Sequence, residues 1–355
     1  MKLLSPLQDF GDCVKIMRQD EKSGWIQCSI PCNLCGATEA RILANRSRSG
    51  NPLRTVICPQ CGLAWTDPLP HNPRDFYQDD YRISYKGTYT PKPKHILRAG
   101  KVALHRHGKI ARLLEKKMAI LDIGSGGGEF AYLLKTLGHD VQGIEPNKGY
   151  ADYSIRQYGL DVQVGFVQDA RFQGKTFELI TIWHVLEHTE NPFGVLLKLH
   201  DLLQPEGMLV IEVPNMEATC QSPKSTFHEA HIFNFNPATL QKLAAKAGFT
   251  FVEHSMSDDG GNITIIVQKK SAGNPGKLEL NIQGNAEKII GIVRNHTPIK
   301  HYLTLRPYAR LLRRVRQSLA EKRKAGSAKE GKVLLDALYA TLARDHRANG
   351  SGAAA

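Results

Sequence analysis

The sequence predicts an α/β fold: a seven-stranded, mostly parallel sheet with an antiparallel edge, carrying a small N-terminal four-cysteine module and a C-terminal helical extension. Three observations predict it. The apolar run Leu121-Asp122-Ile123 ends in the glycine-dense turn Gly124-Ser125-Gly126-Gly127-Gly128, a helical pattern follows (Phe130, Leu133, Leu134, Leu137), and a second strand closes on Glu145 about 20 positions later. Strand and helix patterns alternate from there to about Lys270, which calls for a parallel sheet. Cys32-x-x-Cys35 and Cys58-x-x-Cys61, separated by about 22 residues, have the spacing of a four-thiolate metal site. The first feature is a nucleotide-binding βαβ unit, so the sheet is expected to be Rossmann-like.

Residues 1–27 carry little signal, and with residues 28–70 they make up an N-terminal segment and zinc ribbon, 1–70. Short strands are expected at Ala40–Leu43, Leu53–Ile57 and Leu63–Thr66, between knuckles whose cysteine pairs are each followed by glycine, Gly36 and Gly62. Cys13, Cys28 and Cys220 are left over as ordinary thiols. Residues 71–115 read as a helical linker or lid with an aromatic cluster, Phe76, Tyr77, Tyr81, Tyr85 and Tyr89. Tyr77, Tyr81 and Tyr85 would share one helix face, over the site or as packing.

The core, 116–270, should place strands at Ala119–Ile123, Asp140–Ile144, Asp161–Val164, Leu179–Trp183, Gly207–Val213, Thr250–Ser255 and Asn262–Gln268, the last pair antiparallel. Ser271-Ala272-Gly273-Asn274-Pro275-Gly276 opens the extension, 271–355. There Leu303–Lys322 carries Leu305, Leu311, Leu312, Val315 and Leu319 at helical spacing, opposite Arg310, Arg313, Arg314, Arg316, Lys322 and Arg323. An amphipathic helix docked on the core is one reading. A peripheral membrane or acidic-partner contact is another, and Asn349–Ala355 reads as a disordered tail.

In the βαβ unit, glycine lets the backbone turn tightly and approach a ligand, and Glu145 is placed to accept hydrogen bonds from a ribose diol. The turn departs from G-x-G-x-x-G, because Phe130 or Ala131 would stand at the third glycine, and no Lys-Ser/Thr follows, which excludes a P-loop. An NAD-binding domain is the competing reading of these residues alone.

Four motifs in order, Leu121–Gly128, Glu145, Phe177–His188 and Pro205–Asn215, resemble those of class I S-adenosylmethionine-dependent methyltransferases over about residues 100–270. The resemblance implies that Gly124, Ser125, Gly126 and Gly128 face the methionine and ribose of the donor and that Glu145 takes the ribose hydroxyls. It further implies that Asp169 meets the adenine amino group, beside Phe166 or Phe172, that Asp122 supports the loop, and that His184 lies against cofactor or acceptor. His184 and His188 are four apart, but a metal reading lacks a third ligand nearby in the sequence.

The segment from the first Cys-x-x-Cys-Gly through Cys58-Pro59-x-Cys61-Gly62-Leu63-Ala64-Trp65-Thr66-Asp67-Pro68-Leu69-Pro70 to Tyr81 is similar to the N-terminal part of bacterial sugar and other small-molecule methyltransferases. That resemblance implies structural zinc at Cys32, Cys35, Cys58 and Cys61. Phe227-His228-Glu229-Ala230-His231-Ile232-Phe233-Asn234-Phe235 is similar to the His-Glu-His-Leu-Ser-Tyr-Phe segment of the sugar C-methyltransferases, which puts His231 on their catalytic histidine. Ala230 stands where that family has glutamate, and Glu229 comes one place earlier. His228 and His231 could instead cap the helix that starts near Pro237.

The formal charge of +13 is uneven, with sixteen Lys and Arg against six Asp and Glu after residue 270. A nearly neutral core disfavours nucleic acid, whose enzymes spread basic surface around the active site. Neither a secretion signal nor an apolar run of about 18 residues is evident, so the expectation is cytoplasmic. The expected function is S-adenosylmethionine-dependent methylation of a polar small molecule, such as a sugar or nucleotide-sugar, with a histidine base chosen among His231, His184 and His228. A zinc-ribbon rRNA methyltransferase and a non-catalytic scaffold are the alternatives. Acceptor atom and oligomeric state are not legible.

Overall fold

Two sheets divide the chain, and one segment belongs to both halves. The computed structural model describes residues 24–70, 74, 91–270, 278–325 and 330–351. Phe76, Tyr77, Tyr81, Tyr85 and Tyr89, and so the expected lid, lie outside the described residues, as does Cys13.

In the N-terminal sheet, β1 (Trp25–Gln27), β2 (Glu39–Arg46), β3 (Pro52–Ile57) and β4 (Ala64–Thr66) form an antiparallel meander. Its knuckles close as backbone turns, Gly36 N–H donating to Cys32 O (2.8 Å) and Gly62 N–H to Cys58 O (2.9 Å). Helix α1 (Pro93–Ile110) leads into β5 (Ala119–Ile123), α2 (Glu129–Thr136), β6 (Asp140–Glu145), α3 (Lys148–Tyr158), β7 (Asp161–Val164), β8 (Phe177–Trp183), α4 (Pro192–Leu202) and β9 (Leu203–Pro214). The strand β10 (Phe233–Asn234), α5 (Pro237–Lys246), β11 (Phe249–Met256) and β12 (Asn262–Lys269) follow.

The large sheet has the order β11-β12-β9-β8-β5-β6-β7, parallel except for β12, which runs antiparallel between β9 and β11. The expected α/β class, strand set and antiparallel edge are therefore those observed. β8 and β9 start earlier than the apolar runs suggest, at Phe177 and Leu203, because ladder pairing extends past the apolar stretch. From β5 the chain winds toward β7 and from β8 toward β12, so the carboxyl ends of β5 and β8 open the crevice where such sheets take ligands.

The exception to the winding is β10, which leaves the core to pair with β4 in the N-terminal sheet, Phe233 opposite Trp65 and Asn234 opposite Ala64. Asn236, rather than His228 or His231, caps α5: its side chain accepts from Thr239 N–H (3.0 Å) in a capping box.

The C-terminal extension is helical: α6 (Asn285–Asn295), α7 (Pro298–Tyr302), α8 (Arg306–Ala325) and α9 (Gly331–Ser351). The expected helix from Leu303 therefore begins three residues later, and Asn349–Ser351 end α9 instead of starting a tail. α9 joins the core through Leu335 and Tyr339, whose Oη donates to Glu129 O (3.0 Å). It sits close to α1 because position 100 is glycine, where a Cβ would stand 2.6 Å from Leu335 Cδ2 and 2.7 Å from Leu338 Cδ2. Contrary to an amphipathic helix docked by its apolar side, α8 meets α1 through polar groups: Arg98 pairs with Glu321 (2.7 Å) and Lys94 donates to Ser318 (2.9 Å).

Gly100→Leu should overpack the α1–α9 contact and cost about 1–3 kcal/mol in urea unfolding. Unchanged stability would mean that α9 does not hold this position.

Candidate active site

At the β5/β8 crevice lies a cavity of about 610 Å³, walled by the loops after β5, β6 and β8 and by α1. Gly124, Ser125, Gly126 and Gly127 line it, whereas Gly128 sits at the start of α2, turned toward Ser154 and Leu160. Gly124 has φ of 69°, and a Cβ there would stand 2.4 Å from Val185 Cγ2, so only glycine lets the β5 and β8 loops meet. Glu145, at the end of β6, accepts Gly126 N–H (2.8 Å) and Asn147 N–H (3.1 Å). The same carboxylate lines the cavity. The Ser125 hydroxyl is buried in the wall with no hydrogen-bond partner among the described residues.

Asp122 stays behind the loop. It is fully buried, accepts from Thr181 Oγ1 (2.7 Å), and burial pushes its pKa up to about 6. Asp169 is exposed and pairs with Arg74 (2.9 Å) at the edge of the cavity, while its neighbours Phe166, Val167 and Gln168 form the wall. Phe172 instead packs edge-on against Phe177 in the core.

Under the crevice runs a buried charge network. The His184 nitrogens lie 3.3 Å from Glu187 Oε1 and 3.3 Å from Glu212 Oε1, and Glu212 also accepts from Lys109 Nζ (2.6 Å) and Thr264 (2.8 Å). Burial works against the charge on His184, but the two carboxylates outweigh it and raise the pKa to about 9. Burial likewise opposes ionisation of Glu187, yet His188 and His184 hold it at about 2. Burial would also raise Glu212, and hydrogen bonds from His184 and Lys109 keep it well below the usual carboxylate range. His184 is therefore an imidazolium at neutral pH, a hydrogen-bond donor and not a proton acceptor.

The α1 wall had no site signal in the sequence. His95, Arg98, Val102 and Arg106 recur at helical spacing and line the cavity. Arg106 lies over the Trp183 ring (4.9 Å), its Nε buried and without a hydrogen bond among the described residues. Lys109 continues the stripe one turn on.

The third wall brings His188 to the segment after β9. His188 Nδ1 donates to Ala230 O (2.7 Å), and its ring meets His231 edge-on at 4.9 Å. His231 stacks on His228 at 4.7 Å and lines a smaller cavity with Asn215, Met216 and Asn234. Ala230 N–H donates to His228 Nδ1 (2.8 Å), which places the His228 proton on Nε2. Burial depresses both, His231 to about 3 and His228 to about 4.

Among the described residues, two clusters could hold a metal. The Cys32, Cys35, Cys58 and Cys61 sulfurs lie within 4.8 Å of one another, with close pairs at 3.4 and 3.5 Å. Tetrahedral zinc with Zn–S bonds of about 2.3 Å wants sulfurs about 3.8 Å apart, a small adjustment. Glu187, His188 and His231 also bring ligand atoms within 4.8 Å. The third ligand that the sequence neighbourhood of His188 lacks thus comes from 43 residues further on, across the β9–β10 segment.

A parallel sheet reversing at β5 and β8, a glycine loop, and an acid closing β6 define a Rossmann-like nucleotide-binding domain. Residues 98–254 match the family model described as a methyltransferase domain. With the motif order and strand order, this match supports reading the core as a class I S-adenosylmethionine-dependent methyltransferase domain. Curated relatives include a ubiquinone biosynthesis O-methyltransferase of Roseobacter denitrificans, 33% identical over 115 residues, covering 31% of this chain and 44% of that protein. A tRNA U34 carboxymethyltransferase of Desulforapulum autotrophicum is 26% identical over 158 residues, covering 41% of this chain and 48% of that one. The chain thus spans under half the length of these relatives. Among solved structures, the magnesium protoporphyrin IX methyltransferase of Synechocystis PCC 6803 with bound SAH aligns at a TM-score of 0.45 and 12% identity, covering 56% of this chain and 98% of that one. No helix among the described residues is long and apolar enough to cross a membrane.

The raised pKa of His184 fixes the sign of a pH effect. Its contribution to stability is present in full below the usual histidine value of about 6.5 and is lost as pH rises through about 9. The difference in thermal stability between the wild type and His184→Gln should therefore be largest near pH 6 and close by about pH 10. A pH-independent difference would contradict the ion-paired imidazolium.

Proposed function

We propose that this protein transfers the methyl group of S-adenosylmethionine to a hydroxyl of a small molecule. The carrying observation is Glu145, at the end of β6, held against the Gly126 amide in the wall of the β5/β8 cavity. The bound donor would supply an activated methyl on a sulfonium. The residues would do the rest: Glu145 accepts the ribose hydroxyls, Ser125 offers a hydroxyl, and Arg106 offers a guanidinium to the donor carboxylate. Asp169, at the rim, would reach the adenine amino group on breaking its exposed pair with Arg74.

Positioning of the acceptor oxygen in line can contribute about 7–11 kcal/mol. His184, held as an imidazolium with both N–H groups on Glu187 and Glu212, would act on the bound molecules through its charge and shape. His231 is kept neutral by burial and so is able to accept a proton, with His188 between it and the donor cavity and His228 stacked behind. As the C–O bond forms and the C–S bond breaks, the hydroxyl proton would leave the cavity through His188, which lines it, toward His231. Oxygen as acceptor atom is supported by the O-methyltransferase relatives. A sugar or nucleotide-sugar is supported by the resemblance of the N-terminal module, and a quinone precursor by the same relatives. Zinc at Cys32, Cys35, Cys58 and Cys61 would be structural, folding the two knuckles.

Calorimetric titration with S-adenosylmethionine tests the donor site: the wild type should bind, and Glu145→Ala should weaken binding at least about tenfold, as expected for a lost charged hydrogen-bond acceptor. Binding unaffected by the substitution would contradict the assignment. With an acceptor found by screening phenols and nucleotide-sugars, His231→Ala should lower kcat at least about tenfold at nearly unchanged donor affinity. Equal loss of donor affinity would remove His231 from the role of base.

A further inference from the structure

Helix α8 is docked with its polar side inward. Arg310 donates to Cys220 O (2.9 Å), Ser318 accepts from Lys94, and Glu321, fully buried, is held by Arg98 and by Gln317 (2.7 Å). On the other side Leu305, Tyr308, Leu312, Val315 and Leu319 recur at spacings of three and four, so they form one stripe. All five are exposed, from 49% at Val315 to 83% at Leu305, and Leu311 widens the stripe. A surface helix of a globular protein turns such a stripe to its core, and a contiguous exposed apolar patch marks a contact surface.

Charge decides what contacts it. Between Arg306 and Ala325 stand eight Lys and Arg and one acidic residue, Glu321, which is buried and already paired. Arg316 lies beside the stripe, Arg313 and Arg314 stand further round the helix, and all three are exposed. A second copy would bring two such basic faces together with no exposed acid to offset them, so self-association is opposed. A flat surface that is apolar beneath and anionic above satisfies both features along a helix of about 30 Å. We propose that α8 is an interfacial helix that seats this protein on an anionic phospholipid bilayer. Ion pairing of Glu321 with Arg98, a wall residue of the donor cavity, would then bring the cavity close to the lipid surface.

Flotation of the full chain with vesicles needs neither donor nor acceptor, so its outcome is independent of the proposed reaction. The wild type should float with phosphatidylglycerol-rich vesicles and not with pure phosphatidylcholine. Leu312→Glu, Val315→Glu and Leu319→Glu combined should lower apparent affinity at least about tenfold, with an unchanged circular dichroism melt. Arg313→Glu with Arg316→Glu, also on the exposed side, should weaken binding and flatten its salt dependence. Failure of the wild type to float with anionic vesicles, or equal flotation of the Glu variant, would overturn the proposal. So would a lipid-free dimer that the same three substitutions render monomeric.

Discussion

The pairing of β10 with β4 is the constraint on which the placement of His228 and His231 depends. Residues 215–236 leave the core sheet after β9 and are fixed by the other sheet. Thr66 N–H donates to Ile232 O (2.8 Å), Arg48 N–H to Phe227 O (2.7 Å), and Ser47 Oγ to Glu229 (2.5 Å). A buried amide chain completes the clamp: Asn236 Nδ2 donates to Asn285 Oδ1 (2.7 Å) and Asn285 Nδ2 to Cys61 O (2.8 Å). The second cysteine knuckle, the cap of α5 and the first turn of α6 are thus one hydrogen-bonded unit. The geometry of His228 and His231 is inherited from the cysteine module as much as from the methyltransferase core.

The same region separates histidines by environment. His184 sits between two buried carboxylates and is driven to its charged form, while His231 is driven to its neutral form by burial and then by neighbouring histidines. Nearby groups pushed in opposite directions are the usual arrangement for dividing acid and base roles in a site. Glu187 joins them, since it pairs with His184 and shares a potential ligand set with His188 and His231. This network also ties α1 to the sheet through Lys109, so the helix that walls the cavity is held by the charges beneath it.

Much of the fold was legible because it is written in local patterns. Strand runs, the glycine turn, the acid at position 145 and the paired Cys-x-x-Cys knuckles each depend on neighbours in sequence. Arg106 and Lys109 were not legible, because on an isolated helix they read as ordinary solvated charges. Only the docking of α1 over the crevice turns them inward. The clustering of His188 with His231 was equally hidden, since it depends on a two-residue strand crossing to another sheet. α8 misleads for the opposite reason: its periodicity is clear, yet periodicity alone does not say which side faces the core.

The most direct test is hydrogen–deuterium exchange of the full chain before and after metal is removed by a chelator, with metal content measured in both states. Loss of metal should raise exchange in residues 227–235 together with β4, while β5, β6 and the glycine loop stay protected. Unchanged protection of 227–235 in a chain shown to have lost its metal would contradict the cysteine module as the clamp of the His228–His231 segment.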